Sequence, residues 1–498
     1  MDVWLSEKDL TKTAPAERRP CALPIPTQVV SNGEYMPWAQ TPAQRRVEHE
    51  IGTLADDCSR RLRMDRRQFL RTASGLAASF IAMNRVFGPF FAVTAAEAAD
   101  PTAARERAAG LARQLVFDVQ THFVRDDFGW NGILELGEWA KRWNPVLREE
   151  GVTMRRFKLE NYLKEIFLDS ETSLALVSSA PADDPANTIL TSEQMAHTRA
   201  LVNAIAGTRR LFCHGVIRPG RPGWLDDLDQ TAERLKPDSW KGYTVGDPLS
   251  PSKWPWRMDD ERVVYPGYER IAKSGIRIVC VHKGLVPPDY ERTFPNWQFA
   301  RVDDVGKAAR DWPQLTFVIY HSGLKPFLTP PDESLAQFER TGRIDWVSDL
   351  AEVRAKHGVT NVYAELGTSF ASSVVTHPRH CAAMLGILVK GLGADHVIWG
   401  TDSVWYGSPQ WQIEAFRRIE IPDEMQRKHG FAALGPADGA IKRAILGENA
   451  ARLYGLDVRT AFAPETLGRD GIAAMRGEYE AAGPSRSNLA YGLVRTRT

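Results

Sequence analysis

Four short apolar runs in this chain each stop at a group with acid–base or metal-ligating chemistry. They read LVFDVQTH, ending at His122; IRIVCVH, ending at His282; TFVIYH, ending at His321; and VIWGTD, ending at Asp402. Each run is β-branched or aromatic and gives way to a turn-forming stretch. That is the pattern of a buried parallel strand that delivers one side chain to the rim of a sheet. Beyond residue 100 such runs recur at 115–119, 173–178, 211–216, 240–245, 276–281, 315–320, 361–365 and 396–400. Helical spacing fills the intervals, most clearly at 191–206, at 345–357 before Gly358, and at 379–390 before Gly391.

Eight alternating strand and helix units predict an α/β fold, a (β/α)8 barrel whose active site lies at the carboxyl ends of its strands. His282 and His321 are 39 residues apart, one unit; His321 and Asp402 are 81 apart, two units. A doubly wound open sheet is the alternative, but no GxGxxG follows the first strand. The loops after strand 1 (123–172) and strand 4 (246–265) are long, and the second carries Trp254, Trp256 and Tyr265 among prolines. Long loops over a barrel mouth build the substrate pocket or its lid.

Ahead of the barrel, Thr41-Pro42 with Gln44 reads as a capping box with proline at the first helical position. Val47, Ile51, Leu54, Ala55, Cys58 and Leu62 then follow helical spacing. The stretch Asp65-Arg66-Arg67-Gln68-Phe69-Leu70-Arg71 is a twin-arginine-like export motif, with Ala73–Met83 as its apolar region and Ala96-Glu97-Ala98 as a small-residue cleavage site. Its place some 60 residues into the chain and the interrupting Arg85 weaken that signal, and an uncleaved helix packed on the barrel is the other reading. The expectation is periplasmic export, with a cytoplasmic protein and retained helix as the alternative. The chain then divides into an extension at 1–63 (loosely ordered to residue 40, then one amphipathic helix), the signal-like or packing segment 64–99, a barrel at 100–460 and a tail at 461–498.

Composition narrows the partners. Lys+Arg 63 against Asp+Glu 62 leaves a formal charge of +1 over 498 residues, so no general attraction to nucleic acid or anionic lipid is implied. No apolar run reaches the roughly 20 residues needed to span a bilayer. Cys21, Cys58, Cys213, Cys280 and Cys381 show no CxxC spacing, and Cys213 and Cys280 read as buried strand residues. A small-molecule substrate is the expected partner, and a homodimer is expected only by analogy with such barrels.

Imidazoles together with a carboxylate suit Zn²⁺ first, and also Mn²⁺ or Fe²⁺. Alternate strand residues face one side, so Gln120 and His122 are expected to point together. His282 closes strand 5 and Asp402 closes strand 8, while His321 at the end of strand 6 is placed to move a proton. Lys241 in WKGYT and Glu365 at the end of strand 7 are expected beside the pocket, as substrate or supporting contacts. Trp254 and Trp256 are candidates for stacking on an aromatic substrate. His214 reads as structural, and His197, His357, His377, His380 and His396 read as solvated.

Over residues 112–456 the sequence resembles the amidohydrolase-related family, in particular the branch with aminocarboxymuconate semialdehyde decarboxylase and resorcylate-type decarboxylases. The resemblance rests on FDVQTH, WKGYT, VHKG, YHSG, GTDS and the closing LGENAARLYGL. It implies one divalent metal ion held by His122, His282 and Asp402, with His321 as catalytic base and Asp402 also holding the nucleophile. In that family the first strand commonly reads D-x-H-x-H; here Gln120 stands in the place of the first histidine, a neutral and poorer oxygen donor. Lys241 stands where other amidohydrolases carry a carbamylated lysine, although an uncarbamylated cation is the simpler reading. The expected activity is metal-dependent hydrolysis of a carbonyl or ester-like centre. The alternatives are non-oxidative decarboxylation of an aromatic or unsaturated acid and, from another class, a metal-free barrel acting as a binding protein.

Overall fold

The computed structural model describes residues 13–15, 23–27, 40–128, 157–248, 251–285, 296–325, 331–482 and 493–495. Most of the 1–40 segment and much of the loop after strand 1 lie outside the described residues. The chain-terminal strands Thr13–Pro15 and Leu493–Arg495 pair antiparallel.

Helix α1 (Pro42–Leu62) begins as its sequence requires. Thr41 Oγ1 accepts the Gln44 N–H at 3.2 Å, the Gln44 side chain accepts the Thr41 N–H at 3.0 Å, and Pro42 opens the helix. Its buried face is Val47, Ile51, Ala55 and Cys58. Against it packs α2 (Ala73–Phe87), which carries the apolar run of the signal-like segment. Phe69, Leu70, Phe80 and Met83 are buried there. Phe80 meets Phe91 at 4.9 Å between ring centroids, and the Asn84 side chain exchanges hydrogen bonds with the Phe91 backbone at 2.7 and 3.0 Å.

The barrel follows as eight parallel strands in consecutive order: β1 (Phe117–Thr121), β2 (Leu174–Val177), β3 (Leu211–Val216), β4 (Ser239–Tyr243), β5 (Ile278–His282), β6 (Thr316–Tyr320), β7 (Val362–Glu365) and β8 (Val397–Ile398). Each lies within two residues of its sequence-derived start. Backbone bonds from Val119 N–H to Trp399 O, Asp402 N–H to Gln120 O and His122 N–H to Ser403 O bring β1 against the segment that follows β8. Strands buried on both faces explain the near-continuous apolar runs. Leu174, Leu176, Ile278, Cys280, Val318 and Tyr320 form one cluster with Phe462 and Leu467 from the C-terminal segment. Their neighbours in sequence, such as Ala175, Val279, Phe317 and Ile319, belong to a larger cluster shared with the helices.

Helix α3 (Ser192–Ala206) carries a second Thr-Gln capping box, through Thr191 and Gln194, and ends at Gly207 in the left-handed region. The expected helix over 345–357 is instead two short helices, α4 (Val347–Ala351) and α5 (Val353–His357), because Glu352 adopts a tightened turn between them. Helix α6 (Pro378–Leu392) runs slightly longer than its apolar period at each end. Helix α7 (Gln410–Arg418) follows the last strand and holds the N-terminal segment: Arg418 pairs with Glu97 at 2.7 Å and lies 5.5 Å over the Phe80 ring. Helix α8 (Gly471–Ala481) is anchored by Arg476 donating to the Phe167 and Ser170 carbonyls. No described helix is long and apolar enough to cross a membrane.

Candidate functional site

At the carboxyl-terminal rim the four strand-end groups meet. The register of β1 against β2 shifts between Asp118 and Thr121, an irregularity that re-aims side chains. Beyond it both Gln120 and His122 reach Asp402: Gln120 Nε2 donates to Asp402 Oδ1 at 3.0 Å, and His122 Nε2 lies 3.1 Å from the same oxygen. Gln120 Nε2 is also 3.3 Å from His321 Nε2, which in turn lies 3.1 Å from His282 Nδ1. The network therefore runs from β1 through the segment after β8 and β6 to β5. Gln120, His122, His321 and Asp402 are buried, and His282 is half-buried.

The backbone at this rim is held in unusual conformations. His321, Ser322, Thr368 and Asp402 all have φ between 52° and 61° without being glycine, a region that costs L-residues about 1–2 kcal/mol each. Close packing also demands glycines: a Cβ on Gly400 would overlap Glu365 Oε1, and one on Gly367 would overlap Gln120 Oε1.

The partners of each ring fix what it can do. His321 Nδ1 lies 2.8 Å from the Gly367 carbonyl, which only accepts, so Nδ1 carries the proton and Nε2 presents its lone pair to the network. Burial lowers the His321 pKa to about 4, which keeps the ring neutral at neutral pH. Burial likewise holds His282 well below its usual value. Asp402 moves the other way. Burial would raise it, but the His122 hydrogen bond and the contacts with His321 and Thr368 outweigh that and set it at about 2.

Glu365 at the end of β7 accepts the His321 N–H at 2.9 Å and also the Gly367 N–H, which anchors the base through its backbone. Burial pushes this carboxyl up to about 8. Lys241 on β4 is fully buried, with Nζ 3.3 Å over the Tyr320 ring and no hydrogen-bond partner among the described residues. Burial lowers its amine to about 7. Trp256 donates its indole N–H to the Tyr243 carbonyl at 2.8 Å, and Trp254 lies half-buried nearby. His214 bridges Ser178 and Tyr320 at 3.0 and 3.2 Å inside the barrel.

Several contributors escape sequence reasoning. Asp118 accepts from the Thr401 hydroxyl and backbone and from Gln120 N–H, tying β1 to the strand that leads to Asp402. Thr368 donates to Asp402 Oδ2. Trp405 stacks on His122 at 5.8 Å, and Tyr243 stacks on His282 at 4.4 Å. Asp118, the second residue of FDVQTH, and Tyr243, the fourth of WKGYT, lie inside motifs visible in the sequence. Three histidines read as solvated are corrected: His380 is 1% exposed beside Ser334 of a neighbouring helix, His396 is buried with Nε2 2.9 Å from Thr360 O, and the His377 side chain is 8% exposed.

These residues offer a divalent cation donors of the right kind. A neutral His282 imidazole, an ionised Asp402 carboxylate and a buried Gln120 Oε1 without a partner among the described residues, with the His122 imidazole beside them, form an N/O set. The donors fit in kind. As arranged, they bond directly to one another, and the described residues contain no group of three or more His, Cys, Asp or Glu poised as a cage. Turning the Gln120 carboxamide over converts it from a donor to Asp402 into an oxygen ligand, with no backbone change.

The profile of a family described as amidohydrolase matches residues 117–456. None of the curated proteins matches the chain. Among solved structures it is similar to an uncharacterised TIM-barrel protein from Bordetella bronchiseptica, with 15% identity and a TM-score of 0.45 over 68% of this chain and 98% of that one. It is also similar to 5-carboxyvanillate decarboxylase from Sphingomonas paucimobilis, with 15% identity and a TM-score of 0.39 over 69% and 100%. An amidohydrolase from Burkholderia multivorans with bound HEPES shares 16% identity at a TM-score of 0.40 over 69% and 100%.

Proposed function

The chain belongs to the amidohydrolase family, and from that premise we propose that it hydrolyses a carbonyl or ester-like centre of a small organic substrate. Members of this family are hydrolases and decarboxylases and typically bind a divalent metal. His122, His282 and Asp402, with Gln120 through Oε1, would hold that ion, with Zn²⁺ the best match to the donors. Bound there, it would supply Lewis acidity to polarise the substrate carbonyl and acidify a water.

One observation carries the choice of hydrolysis. His321 has its Nδ1 proton committed to Gly367 O and is neutral, so Nε2 is a proton acceptor facing Asp402 and Gln120. In this reading Nε2 takes the proton of the attacking water and returns it to the leaving group. Asp402 stays ionised and orients the nucleophile, while Glu365 keeps the base in place. Decarboxylation would need a proton donor aimed at the substrate carbon; His321 and Asp402 both stand in their basic forms at neutral pH, and Glu365, whose carboxyl burial pushes up to about 8, is turned onto the His321 and Gly367 N–H groups. The test is an assay panel of esters, lactones and amides set beside CO₂ release from hydroxybenzoates and muconate-like acids. CO₂ release without hydrolysis would replace this reading with the decarboxylase. Less than about one-tenth equivalent of metal after reconstitution would leave the binding-protein reading.

We infer further that residues 100–460 form the catalytic unit and that 64–99 remains part of the folded protein as a packing segment. What supports retention is the burial of Phe69, Leu70, Phe80 and Met83 together with the Glu97–Arg418 pair. Export then remains open only to a protein that keeps this segment.

A further inference from the structure

We propose that a cavity between the N-terminal segment, the outer wall of the barrel and the C-terminal helix binds an aliphatic monocarboxylate. This goes beyond the proposed hydrolysis and does not depend on it, because none of Gln120, His122, His282, His321 and Asp402 lines the space. The cavity measures about 310 Å³, within the roughly 300–1,000 Å³ of small-molecule pockets. One side belongs to the barrel: the turn 168–171 ahead of β2, and Gln410, Glu414 and Arg418 of α7. The rest comes from outside the family-matching residues 117–456. Ala73 and Leu76 of α2, Ala104, Arg107 and Ala108 of the helix Pro101–Leu111, and Arg476 and Glu480 of α8 complete it. The space is thus made by the two extensions, and residues 117–456 alone would leave it open.

Its lining has an apolar and a charged part. Ala73, Leu76, Ala104, Ala108 and Leu168 offer a surface that suits a hydrocarbon chain. In the charged part the carboxylates are engaged. Glu414 meets Arg107 at 2.7 Å, Arg417 at 2.9 Å and Arg418 at 3.3 Å. Glu171 accepts from Gln410 at 2.8 Å and from Arg417, and Asp169 pairs with Lys164 at 3.2 Å.

Arg476 is the exception among the cations. Its Nε and Nη2 donate to the Phe167 and Ser170 carbonyls at 2.5 to 2.8 Å, while Nη1 has no partner and the guanidinium no carboxylate among the described residues. Glu480, one turn further along α8, is exposed and forms no ion pair with it. Burial and then the nearby Arg210 charge both disfavour the cationic form of Arg476, an effect that a bound anion would offset. A carboxylate is the planar acceptor that fits the free edge of this guanidinium. The chain attached to that carboxylate would lie along the apolar surface, so the ligand class is a short fatty acid. Held there, it would tie α2 to α7 and α8.

The test titrates the full-length protein with hexanoate and with hexanamide, its neutral isostere, by calorimetry. Hexanoate should bind more tightly than hexanamide, and Arg476→Gln should weaken hexanoate by roughly 10- to 100-fold while sparing hexanamide. Because Arg476 also anchors α8, a second variant leaves that anchor intact. Ala108→Glu, at an exposed position on the cavity wall, adds bulk and negative charge and should weaken hexanoate by roughly 10-fold or more. His282→Ala reports on the rim and should leave hexanoate affinity where it was. Equal affinities of the two probes for the unaltered protein, hexanoate binding unmoved by Ala108→Glu, or a loss confined to His282→Ala overturns the proposal.

Discussion

The carboxamide of Gln120 donates to the carboxylate of Asp402 across 3.0 Å, joining the first strand of the barrel to the segment that follows the last. The same amide group touches His321. A neutral side chain therefore stands at the centre of the acid–base network, and its orientation decides whether it acts as a donor or as a ligand.

Metal affinity should follow this geometry. Asp402→Ala or His282→Ala should abolish stoichiometric Zn²⁺ or Mn²⁺ uptake measured by equilibrium dialysis. Gln120→Ala should weaken uptake by roughly 10-fold, and Gln120→His should strengthen it, because an imidazole is the better donor. Full uptake by the Asp402 variant would refute the ligand assignment.

His321→Asn should leave metal content unchanged while lowering kcat by roughly 10²- to 10⁴-fold, the usual contribution of a positioned base. Equal loss of metal and turnover would make His321 a ligand instead.

The N-terminal segment should survive in the mature protein. Intact mass and N-terminal sequencing are expected to show residues 64–99 still attached, whereas a start near Ala99 would show cleavage. Phe80→Ala should lower stability by about 3–5 kcal/mol in denaturant unfolding, since it empties a fully buried site against Phe91. An unchanged midpoint would mean that this packing does not hold.

Acid should loosen the same region. Burial would raise Glu414, but Arg107, Arg417 and Arg418 outweigh it and hold it at about 2, against 4.5 unperturbed. A depressed carboxylate stabilises the fold fully above its unfolded pKa, and that stabilisation is lost as pH falls from about 4.5 to about 2. Glu414→Gln should therefore cost about 3 kcal/mol at pH 7. The gap from the unaltered protein should close toward pH 2, and a gap that stays constant with pH would assign it to packing alone.

Much of this architecture was legible because it is local. The strands announced themselves by runs apolar on both faces, and the caps at Thr41 and Thr191 by residues three positions apart that bond within one turn. The single helix read over 345–357 is divided at Glu352, whose backbone departs from ideal helical geometry although the apolar spacing runs on across it. His380 and His396 were misread because a lone histidine carries no sign of which helix face is covered.

The sequence by itself determined the eight-unit barrel and which residue types stand at its strand ends, since periodicity of 2 and 3.6 is written along the chain. Only the tertiary structure decided that Gln120 would bond to Asp402, 282 residues away, that Thr368 and Trp405 would join them, and that Gly367 would fix the His321 proton. Those contacts come from closing β1 against the chain after β8 and from backbone held in the left-handed region at the rim, and neither leaves a trace in local spacing.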